Sequence, residues 1–135
     1  EEKLRIVFNA DLANGLGNLV ARVSKLCERE NINVVISDES KLSDKIQEFL
    51  KAYKFNEAIG YIWLNIGVLD KKINTDEPWK ENDKSKLKDE LDYYARCIWR
   101  FAYDLQPFLP ETAEKILDQF SGEIKSSDSL FPRIS

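Results

Sequence analysis

The chain has 135 residues, 43% hydrophobic and 33% charged, and carries a net charge of −4 at pH 7. That length supports one domain with a real core, and the composition fits a soluble helical protein rather than a disordered one. There is no His, which removes Ser-His-Asp and Cys-His catalysis and most zinc sites, and no apolar run reaches the length of a membrane span.

The chain begins Glu1-Glu2-Lys3 and contains no Met, so it reads as a segment of a longer protein. No secretory signal pattern opens it, and a cytoplasmic location is expected. The first element is an amphipathic helix, expected from Leu4 or Phe8 to Glu30. At about 100° per residue, Phe8, Leu12, Leu16, Leu19, Val23 and Leu26 share one face. Asp11, Asn14, Asn18, Arg22, Lys25 and Arg29 share the other, bordered by the small residues Ala10, Gly17 and Ala21. A solvated helix face is usually rich in Glu and Lys, whereas Asn and Gly are poor helix formers. The stripe suits contact with another molecule. Packing against a neighbouring helix or a local kink accounts for the same composition, and periodicity leaves both readings open.

Asn31 to Glu39 forms a polar connection with a short β-branched run, Val34-Val35-Ile36. Ser40 or Ser43 then caps a helix carrying Leu42, Ile46, Phe49 and Leu50 on one face. A third helix is expected from Phe55 to about Asn74, with Ala58, Ile59, Ile62, Trp63, Ile66, Leu69 and Ile73 at helical spacing. Pro78 breaks the pattern. Asp83 or Ser85 opens a fourth helix in which Leu87, Leu91, Tyr94, Ile98, Phe101 and Leu105 recur, and Pro107 and Pro110 end it. Pro110 suits the first position of a last helix to Phe120, and a polar tail follows from Gly122. The pattern predicts an all-α fold over residues 1–135, an antiparallel bundle of four to five helices.

Cys27 and Cys97 lie inside apolar helical patterns and are expected to be buried reduced thiols. Acidic residues are plentiful, but no phosphate-cradling Gly-rich loop accompanies them. Neither a catalytic residue nor a metal ligand is assigned. Trp79 stands out because it follows a proline in a charged loop, where periodicity gives no reason for a large aromatic. Folding back over the core is the ordinary role for Trp. An exposed indole beside an Asn/Arg stripe would instead stack on an unpaired base.

Three segments carry a resemblance: Asn9 to Arg22, Glu77-Pro78-Trp79-Lys80, and the closing Leu130-Phe131-Pro132-Arg133-Ile134. In order and spacing the chain resembles the anticodon-binding helical domain of methionyl-tRNA synthetases, over essentially its whole length. The first segment is shared loosely with other class I synthetases, and the other two narrow the likeness to the methionyl enzymes. The resemblance implies an anticodon-binding α-bundle whose partner is the CAU anticodon loop of methionine tRNA. It places Asn18 and Arg22 against anticodon bases, Trp79 as the platform for the first of them, cytosine, and Pro78 as its support. Asn14 falls near the same surface, and Gly15 stands where many members carry a polar residue. It also implies an upstream class I catalytic domain in cis, which would use ATP in a methionine–tRNA ligase. This segment would need no cofactor of its own. Lys41-Leu42-Ser43-Asp44-Lys45 is similar to the flexible nucleotide-binding loop of class I synthetases, but sits where helix capping is ordinary.

The chemistry of the named residues agrees. Asn offers both donor and acceptor, Arg a planar donor fork, and the i, i+4 spacing sets Asn18 beside Arg22. Lys71, Lys72, Lys80, Lys84, Lys86 and Lys88 cluster around the Trp loop, against the acidic total. An anticodon domain of another class I synthetase and a helical protein–protein interaction module remain as alternatives.

Overall fold

The apolar repeat between Asp83 and Pro107 becomes the central strut of the molecule. The structure, a computed structural model, describes residues 15–34 and 42–125. Among them are five α-helices: α1 (Leu16–Arg29), α2 (Asp44–Lys51), α3 (Phe55–Asp76), α4 (Lys84–Leu105) and α5 (Pro110–Gln119). α4 packs against α1, α3 and α5, while α2 packs on α3. Leu87, Leu91, Tyr94, Ile98, Phe101 and Leu105 of α4 are all buried. Facing them are Leu16, Leu19 and Val23 of α1 and Ala58, Ile62, Ile66, Leu69 and Ile73 of α3. The all-α expectation holds. The expected start of the first helix, with Leu12, lies outside the described residues, as do Asn14 and Ser40.

Local chemistry explains the helix ends. Pro78 disfavours α geometry only at the residue before it, so α3 continues past Asn74 to Asp76, and Glu77 turns into the left-handed region at φ 47°. Pro78–Lys80 then forms one 3-10 turn that packs on α4. Asp83 caps α4, its Oδ1 accepting the backbone N–H groups of Ser85 at 3.0 Å and Lys86 at 3.3 Å. Pro110 opens α5.

Two expectations need correction in detail. Ser43 does precede α2, but its side chain makes no local cap. Its hydroxyl donates to Asp104 Oδ2 at 2.7 Å and its backbone N–H to Asp104 Oδ1 at 2.9 Å. Asp104 is buried in α4, so the first turn of α2 is satisfied by a carboxylate from another helix. The polar tail also contributes a strand. β1 (Asn33–Val34) pairs antiparallel with β2 (Gly122–Glu123), Asn33 opposite Glu123 and Val34 opposite Gly122. Two residues per strand are too few for alternation to register in the sequence. Gly122 adopts φ 78°, a conformation open to glycine at little cost. Among the described residues no helix is long and apolar enough to cross a membrane.

Candidate functional site

The polar stripe of α1 faces outward. Asn18, Lys25 and Arg29 are exposed and Arg22 is half-buried. An open groove of about 620 Å³ runs between α1 and α3, lined by Gly15, Asn18 and Arg22 on one side and by Trp63, Gly67, Asp70 and Lys71 on the other. Asn14 lies outside the described residues.

Arg22 is the junction of the site. Its Nη1 donates to Asp70 Oδ1 at 3.3 Å and its Nη2 to Asn74 Oδ1 at 3.0 Å. The guanidinium carbon lies 5.5 Å from the centre of the Trp79 ring, within the range of a cation–π contact. Helix α1 and the turn after α3 thus bring together two residues that the sequence singled out separately. Trp79 retains 43% of its surface in solvent and lies outside the core cluster, whereas Trp63 and Trp99 pack against it.

The turn that carries Trp79 is anchored on both sides. Pro78 is buried, and Asp76 at the end of α3 accepts the Tyr94 hydroxyl at 2.5 Å and the Lys72 ammonium at 3.0 Å. The Tyr94 hydroxyl above all, with Lys72 adding to it, holds the Asp76 carboxyl below its ordinary range. Burial, followed by the neighbouring Asp76 carboxylate, pushes the Tyr94 hydroxyl well up. Glu77, one residue on, pairs with Lys80 at 2.8 Å.

The lysines around the turn are less available than their number suggests. Lys72 lies 3.0 Å from Asp76, Lys80 2.8 Å from Glu77, Lys84 3.0 Å from Glu30 and Lys86 3.4 Å from Glu81. Lys71, which lines the groove, and Lys88 are not among these pairs, so the surface near Trp79 combines paired lysines with aromatic and hydrogen-bonding groups.

Sequence reasoning missed Asp70 and Asn74. They sit one helical turn apart on the polar side of α3, a spacing visible in the sequence, but nothing in the chain linked that face to Arg22. Trp63, at core spacing in α3, packs against the core and also walls the groove. The two cysteines are free, Cys27 buried as expected but Cys97 only half-buried; burial, with the Asp92 carboxylate adding to it, pushes the Cys27 thiol up to about 12. Such a thiol is inert packing. No group of three His, Cys, Asp or Glu side chains that could hold a metal ion occurs among the described residues.

In sequence the chain is similar to a segment of curated aminoacyl-tRNA synthetases. More particularly, the chain is a relative of the methionine–tRNA ligases. The methionine–tRNA ligase of Clostridium acetobutylicum is 35% identical over 91% of this chain and 22% of its own length. That of Lactococcus lactis is 31% identical over 88% of this chain and 20% of its own. That of Thermotoga maritima is 27% identical over 94% and 23%. The chain therefore spans about a fifth of the length of these curated relatives. No family model matches it. No solved structure matches it either.

Proposed function

We propose that this chain is the anticodon-reading module of a methionine–tRNA ligase, binding the CAU loop of methionine tRNA. The observation that carries the reading is the Arg22 guanidinium lying against a half-exposed Trp79, with Asn18 one turn away on the same face of α1. Unpaired loop bases are recognised by stacking on aromatic faces and by hydrogen bonds along their edges, and this surface offers both. Trp79 stacks on the first anticodon base, Pro78 fixes the turn beneath it, and Asn18 and Arg22 address base edges. By its likeness to the family pattern, Asn14 is proposed as a further contact. The kinship with methionine–tRNA ligases supports methionine tRNA as the proposed partner. The parent protein would couple this module to an ATP-using class I catalytic domain in cis, acting in cytoplasmic protein synthesis.

Replacing Trp79 with Ala tests the stacking role by two measurements on one variant. Loss of base stacking should weaken binding of a CAU stem-loop by about 1–3 kcal/mol. Thermal unfolding should change little, by no more than the roughly 0.5–1 kcal/mol of an exposed cation–π contact. A loss of about 3–5 kcal/mol in stability, the scale for a core Trp, with RNA affinity per folded molecule unchanged, would assign Trp79 to the core and remove it from the site.

A further inference from the structure

We infer that Asp70 and Asn74 are positioning residues for RNA recognition, clamping Arg22 against Trp79 before any RNA arrives. The inference deepens the anticodon reading and rests on it. Arginine is a long side chain with many rotamers, and an untethered guanidinium at a surface would sample most of them. Here two terminal nitrogens of one guanidinium meet two acceptors one turn apart on α3, at 3.3 Å on Asp70 and 3.0 Å on Asn74. Two such bonds fix the fork in position as well as direction, because the guanidinium is planar and its donors are rigidly spaced. The same α3 runs on into the turn bearing Trp79, so one element supplies the aromatic face and the two acceptors that press Arg22 toward it.

Two consequences follow for a ligand. The guanidinium covers part of the indole, which directs an incoming base to the surface that Trp79 leaves in solvent. Meanwhile the fork meets a base edge already oriented, and less rotamer freedom is lost on binding. Asp70 does more than balance charge, since its half-exposed carboxylate adds little as a surface ion pair. Its contribution is direction, and Asn74 shares it without any charge. An amide at position 70 should therefore serve nearly as well as the acid.

Nuclear magnetic resonance of the free chain and loop binding test this together. In the wild type, Arg22 side-chain protons should be displaced upfield by the ring current of Trp79. Asp70→Ala combined with Asn74→Ala should abolish most of that displacement, whereas Asp70→Asn should retain it. Thermal unfolding, followed on the same samples, should hold steady. The preference for a CAU stem-loop over a scrambled loop should fall about three- to tenfold in the double variant, the scale of an exposed ion pair plus a cation–π contact, and stay near wild type in Asp70→Asn. Unmoved Arg22 resonances overturn the clamp. So does an unchanged or improved preference in the double variant when the wild type discriminates. A wild type that binds both loops equally defeats the anticodon reading instead, and the Arg22 resonances still decide whether the clamp exists.

Discussion

Tyr94 has one hydroxyl proton, yet two carboxylates converge on it. Asp76 Oδ2 lies 2.5 Å from the hydroxyl oxygen and Glu90 Oε2 3.1 Å, and Glu90 Oε1 is buried without a hydrogen-bond partner among the described residues. Asp76 has the Lys72 ammonium behind it and keeps its charge cheaply. Glu90 is the poorer match, an acceptor where a donor is needed. Glu90→Gln supplies N–H groups to the cluster and removes one of two facing negative charges. It should stabilise the chain by about 0.5–1.5 kcal/mol, measured by urea unfolding at pH 7; a loss of stability would show that the carboxylate itself is required. Legibility at this scale was uneven. Asn18, Arg22 and Trp79 were visible because amides, arginine and an aperiodic indole are unusual in their places. Asp70, Asn74 and Glu90 look like ordinary polar helix residues until the fold supplies their partners.

Helices were readable because their apolar faces repeat over many turns and their ends carry Asp83, Pro78 and Pro110. What escaped the sequence at this scale were contacts between elements. The two-residue β pair is one case, joined by backbone hydrogen bonds across some ninety residues. The junction of α2 with α4 is another: Ser43 offers both its hydroxyl and its backbone N–H to Asp104, a residue that reads as a stray charge among the apolar positions of α4. A carboxylate at the N-terminus of a helix also gains from the helix dipole. Asp104→Ala leaves those donors unmatched and should cost about 1.5–3 kcal/mol, the range for hydrogen bonds to a charged group. Ser43→Ala removes the hydroxyl bond alone and should cost less. Urea unfolding of both variants checks the order, and equal losses would mean that the backbone bond contributes nothing.

At the scale of the molecule, several described carboxylates are held in pairs with cations or hydroxyls, and this sets the response to acid. Hydrogen bonds from Lys84 and then Arg29 hold the Glu30 carboxyl below its ordinary 4.5, and the Tyr94 hydroxyl holds Asp76 below 3.8. A carboxyl whose folded value lies beneath its unfolded one stabilises the fold fully above the unfolded value, and loses that contribution as pH falls through the folded one. The unfolding midpoint should thus be flat from pH 7 to about 5 and fall below about 4.5, more shallowly in Asp76→Asn. A midpoint that rises on acidification would contradict the pairing.

Pairing also bears on how such an acidic chain could hold RNA. With Lys72, Lys80, Lys84 and Lys86 engaged by carboxylates, and phosphate contacts carrying no sequence information in any case, selectivity must come from the groups around Arg22 and Trp79. The most direct measurement is therefore the affinity of the chain for a CAU anticodon stem-loop and for a scrambled loop, each across a series of salt concentrations. Base reading predicts tighter binding of the CAU loop at every salt concentration, with a shallow salt dependence, since each phosphate contact to a single strand adds a slope of only about −0.7. Equal affinities for the two loops throughout, falling together as salt rises, would contradict it.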